Sequence, residues 1–131
     1  MRVKRIRTPL ENEKGQSLVE FALVVPMLLL IVIGIAEFGR AWMTRNIMTG
    51  AAREAARMYA VEDDNVAASG RADELLSSGG LDLGRRTITS SNSGGAVSYT
   101  ISYNFPATIV GIIPGLDNIT LSSTTTMRRE Y

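Results

Sequence analysis

The sequence predicts an α+β fold: a long N-terminal transmembrane helix leading into a small domain with a second short helix and an antiparallel sheet of about three strands. Three observations carry this prediction. The run FALVVPMLLLIVIGIA, Phe21 to Ala36, holds no charge, and with Leu18 and Val19 it gives about 17 to 20 apolar residues, the length of a bilayer span. The residues that follow to Ala60 are rich in helix formers and hold no proline, so the helix continues past the span. Far downstream, Val97 to Phe105 alternates apolar and polar residues, the period-2 signature of a strand with one face buried.

Composition narrows the function before any motif is considered. A chain of 131 residues, part of it spent in a membrane, has room for one modest domain beyond its anchor. Cys is absent, which removes disulfides, thiolate metal sites and a lipid-attachable cysteine. His is absent too, which removes the commonest general base and metal ligand. No catalytic residue, metal site or cofactor is therefore assigned. The net charge of +1 hides an asymmetry: Arg2, Lys4, Arg5, Arg7 and Lys14 face only Glu11 and Glu13 near the start, and the remainder is slightly acidic. Nucleic-acid binding would need that basic charge on the folded part. Placed before an apolar span, it predicts a cytoplasmic N-terminus and an exported C-terminus.

Two other readings of the apolar run compete with the anchor. A buried helix of a soluble protein would need a larger domain to wrap so uniform a surface. A secretory signal peptide cut before Glu37 would use Gly34 and Ala36 as its small residues, but Glu20 heads the apolar segment and the helical pattern continues beyond the supposed cut.

At the head of the span stands Lys14-Gly15-Gln16-Ser17-Leu18-Val19-Glu20-Phe21. A carboxylate at mid-bilayer costs about 2.5 to 3.5 kcal/mol, less near the edge, so Glu20 needs a reason to be there. The string resembles a prepilin processing site, which implies cleavage between Gly15 and Gln16 and makes Glu20 the fifth residue of the product. The α-amine created at Gln16 would then pair with Glu20 of a neighbouring subunit, compensating both charges in an apolar bundle. The alternative is a Glu20 that simply rests at the lipid interface. Glu20 followed by Phe21 is similar to the Flp type of the Tad pilus system. The wider pattern GQSLVEFALVVPMLLLIVIGIAEFGRAW, NIMTGAAREAAR and the closing STTTMRRE resembles TadE-like proteins over most of Gly15 to Glu130.

Beyond the span we expect one helix from about Ser17 to Tyr59, with Phe38, Trp42, Met48, Ala52, Ala55 and Tyr59 as a stripe that docks on the exported domain. Ala51 with Ala55, and Ala52 with Ala56, suit either close subunit packing or the chain's own core. Trp42 reads equally as an interfacial anchor or a core residue. The acidic run Glu62, Asp63, Asp64 lacks EF-hand spacing and reads as a solvated turn or helix start. A second helix through Ala68, Ala72, Leu75 and Leu76 ends at Gly79 and Gly80. Strands are expected over Arg86–Ser90, Val97–Phe105 and Ile119–Met127, with a hairpin loop over Ser91–Gly95. Between the last two strands, PATIVGIIPGLDN concentrates Ile109, Val110, Ile112 and Ile113. That segment is either core beneath the sheet or a patch for a partner or a membrane surface.

The domain organisation expected is thus a basic leader over 1–15, a transmembrane and stalk helix over 16–60, and an exported α+β domain over 61–131. The resemblance implies a minor pilin or pseudopilin of a Tad/Flp-type system in the bacterial inner membrane. Its implied partners are the prepilin peptidase, the major Flp pilin, another minor pilin, and the Tad membrane platform with its ATPase. The competing reading is an unprocessed, signal-anchored binding module outside the cytoplasm.

Overall fold

The computed structural model describes residues 10–111 and 119–129. Helix α1 runs Leu10–Glu62, α2 runs Asn65–Ser78, and strands β1 (Arg86–Ser93), β2 (Ala96–Phe105) and β3 (Ile119–Arg128) form one antiparallel sheet in the order β1-β2-β3. This is the α+β architecture expected, and α1 is longer at both ends than the expected Ser17 to Tyr59. The chain divides into two compact units, Met1–Ala36 and Glu37–Tyr131, so the division falls inside α1.

The junction between the helices is made by the acidic run. Asp63 takes a left-handed conformation (φ 54°) that stops α1, a conformation that Asp tolerates better than most residues. Asp64 then caps α2, its Oδ1 accepting from the backbone N–H of Val66 at 2.8 Å and of Ala67 at 3.0 Å. This satisfies two of the four donors that a helix start leaves open. At the other end of α2, Gly80 at φ 81° reverses the chain, while Leu81 N–H donates to Leu76 O at 3.0 Å. That is a Schellman closure, and it needs a residue without a Cβ penalty at Gly80. Gly79 is needed for a different reason: a Cβ there would stand 2.6 Å from Ile47 Cγ2 of α1.

Around this corner the core assembles from small helix residues and large strand residues. Met48, Ala51, Ala52, Ala55 and Ala56 of α1 and Ala68, Ala72 and Leu76 of α2 cluster with Tyr99, Ile101, Tyr103 and Phe105 of β2. The small alanines of the helices face the large side chains of β2, which fill the layer between them. The alanine pairs therefore belong to the chain's own core. The expected docking stripe needs correction at its start, because Phe38 and Trp42 are 69% and 58% exposed. The six positions from Trp42 to Met48, at about 100° each, turn the helix roughly 120° off the buried face.

The sheet shows the alternation expected of it, with β2 alternating buried and half-buried side chains along its length. The hairpin loop is shorter than expected, since β1 continues to Ser93, which pairs with Ala96. Only Gly94 and Gly95 turn, both at positive φ (61° and 77°), as a tight two-residue hairpin turn requires. Polar ties fix the layers. Arg86 of β1 meets Asp73 of α2 with two bonds of 2.5 Å, and Thr49 of α1 bonds the buried Ser123 of β3 at 2.9 Å. Arg129 closes the C-terminal end by pairing with Asp63 while its guanidinium lies 5.4 Å from the centre of the Tyr59 ring.

Tyr99 gives a pH-dependent prediction. Its hydroxyl oxygen is buried, and burial pushes the phenol above its usual range, an effect that neighbouring Ser69 partly offsets. Because the folded pKa is raised, the associated stability is complete below the unfolded value of about 10 and is lost as pH rises beyond it. Thermal unfolding followed from pH 8 to 11.5 should show an alkaline fall in Tm. Tyr99→Phe should reduce that fall while holding neutral stability within about 1 kcal/mol.

Candidate processing and assembly site

Gly15, Gln16, Glu20 and Phe21 all lie on α1 and all are exposed. The spacing of Gln16 and Glu20 places them one turn apart on one face, and Gln16 Nε2 donates to Glu20 Oε1 at 3.2 Å. Together with Gly15 and Val19 they line an open hollow. Nothing lies within 4 Å of where a Gly15 side chain would begin. The backbone at Gly15 and Gln16 is thus uncovered, but it is helical. A protease must unwind it locally, and the glycine makes this about 1 kcal/mol easier than alanine would.

From Phe21 to Ala36 the helix is hydrophobic on every side. Phe21, Leu23, Met27, Ile31 and Ile35 are among the exposed residues. The helix from Gly15 to Glu62 is long and apolar enough to cross a membrane, and none of its most apolar stretch is buried within the molecule. Pro26 lies within α1. A helix apolar all round belongs in lipid or among other helices.

A second cluster, at Glu37, was not legible as a unit in the sequence. Glu37 Oε1 accepts from Arg40 at 2.7 Å and its Oε2 accepts from the Thr108 N–H at 3.2 Å. Arg40 also donates to Thr108 Oγ1 at 3.2 Å and lies 5.3 Å from the centre of the Phe105 ring. The Glu37–Arg40 spacing was the one available signal, since residues three apart meet on a helix. Its link to Thr108, 71 residues away, could come only from the fold. Thr108 opens a 3-10 turn, Thr108–Gly111, that contains Ile109 and Val110. Ile112 and Ile113 lie outside the described residues.

The structure thus brings Gly15, Gln16 and Glu20 together at the head of a helix suited to crossing a membrane, with Phe21 next in the chain. Residues 15–57 match the family model described as TadE-like protein, so about a third of the chain is similar to that family. The family is associated with the Tad pilus and with the membrane. The match starts at Gly15 and ends two residues before Tyr59. The closing STTTMRRE lies beyond it. No curated protein and no solved structure matches the chain.

Proposed function

We propose that this chain is a minor pilin or pseudopilin of a Tad/Flp-type pilus assembly system, cut between Gly15 and Gln16 by a prepilin peptidase. Anchored in the inner membrane with its C-terminal unit exported, it contributes to pilus biogenesis and surface adhesion by packing its N-terminal helix against other subunits. It performs no chemistry of its own. The observation that supports this best is the exposed, charge-free helix surface headed by Gly15, Gln16, Glu20 and Phe21 inside the family match. Soluble monomers rarely expose so large an apolar surface. The major Flp pilin, another minor pilin, and the platform with its ATPase are the partners this reading names.

In the uncut chain Glu20 already accepts from the Gln16 side chain. After cleavage the new amine takes a place one turn from the same carboxylate. Glu20 can then serve the amine of its own chain or, in an assembly, that of a neighbour. Glu20→Ala should leave expression and cleavage intact and lower recovery in the sheared pilus or assembly fraction by about tenfold, equivalent to about 1.4 kcal/mol. Unchanged recovery would remove the pairing from the account.

The same exposed helix also fits an unprocessed, signal-anchored binding module. An N-terminus that stays intact in cells with an active prepilin peptidase would favour that reading.

A further inference from the structure

Among the described residues of the Glu37–Tyr131 unit, the largest exposed apolar side chains gather at its beginning. Phe38, Trp42 and Met43 are 69%, 58% and 64% exposed, and the Phe38 and Trp42 rings stack with centroids 6.1 Å apart. The face that α1 turns to its own core runs through Ala41, Ile47 and Met48, and Phe38, Trp42 and Met43 lie off it. These three side chains thus contribute nothing to that core.

We propose that Phe38, Trp42 and Met43 form a docking patch for the lipid headgroup layer, which holds the exported unit at a fixed depth against the membrane. The proposal rests on the membrane reading above. Three observations select lipid as the occupant. First, the patch follows the charge-free run ending at Ala36 by two to seven residues, roughly 3 to 10 Å along a helix. A headgroup layer is about 5 to 8 Å deep on each side of the hydrocarbon. Second, the side chains have the right chemistry, because an indole buries its rings and keeps its N–H for water or headgroup oxygens. The charges among them, Glu37 and Arg40, are paired at 2.7 Å, so the polar part of the patch carries little net charge into the interface. Third, three side chains cover far less than the roughly 800 Å² per partner of a stable protein interface. By themselves these three side chains cannot hold a second copy, so they are separate from the apolar run through which the helix packs on other subunits.

Trp42 is the chain's one tryptophan, so the native protein carries its own reporter. The full chain would be reconstituted in phosphatidylcholine–phosphatidylglycerol vesicles whose acyl chains carry bromine at shallow or deep positions. Trp42 emission should be quenched more strongly by shallow bromines, and the quenching should persist when the protein is diluted in lipid. A parallel chain with Ile31→Trp and Trp42→Phe places the reporter within the apolar run and should be quenched best by deep bromines. Deep quenching of that chain together with a water-exposed, unquenched Trp42 would overturn the docking patch and leave the membrane reading standing. Trp42 shielding that disappears on dilution would also overturn it, in favour of contact between copies. Absence of quenching in both chains would overturn the membrane reading and the patch together.

Discussion

A Gly15→Leu chain is expected to accumulate with its leader attached, at the full 14.2 kDa mass, in cells whose prepilin peptidase processes the wild-type chain. The structure separates this effect from misfolding. A side chain at position 15 would project into open space, and leucine favours a helix by nearly 1 kcal/mol over glycine. The variant should therefore insert and fold normally. Leucine would fail at two points of cleavage: it stiffens a helix that must open, and it puts a branched side chain where the peptidase closes on the bond. Gly15→Ala should be cut at a reduced rate. Immunoblots of membranes comparing the three chains give the answer directly, and normal processing of Gly15→Leu would remove the proposed cut.

The second large effect falls on folding. Ala55 is fully buried in the cluster that joins α1 to α2 and β2. Ala55→Leu forces three extra carbons into a packed layer and should cost about 3 kcal/mol, at the upper end of typical overpacking. For a unit of this size each kcal/mol shifts Tm by about 4 to 8 °C, so a fall of more than about 10 °C is expected. Arg53→Leu on the exposed side of the same turn serves as the control and should stay within about 0.5 kcal/mol. Thermal circular dichroism in detergent measures both. Equal melting of the two variants would mean that the alanine face does not pack on the sheet.

The main elements were legible because their signals are local. The charge-free run, the alternation from Val97 to Phe105 and the glycines after α2 each specify backbone or burial over a few residues, and each element formed where those signals lie. Spacing on a helix was less decisive. Phe38 and Trp42 are as hydrophobic as Met48 and Ala52, and only the angular drift around α1 separates the exposed pair from the buried face. The hairpin loop was overestimated because Ser91 and Asn92 look like turn residues, yet they pair with Ser98 and Val97. Two glycines sufficed for the turn.

Of the candidate site, Gly15, Gln16, Glu20 and Phe21 could be found from a carboxylate at the edge of an apolar run and the glycine before it. Long-range ties could not. Asp63 with Arg129 and Glu37 with Thr108 join residues more than sixty positions apart, and nothing local in either partner announces the other. The acidic run shows the same limit: helix-start chemistry was visible in it, whereas the division of labour between Asp63 and Asp64 depended on the fold.

The most direct test is the N-terminal peptide and intact mass of the protein extracted from membranes of its own cells, with and without their prepilin peptidase. The account predicts a chain beginning at Gln16 that appears only when the peptidase is present. A chain that keeps its leader in both backgrounds, or one that begins at Glu37, would contradict it.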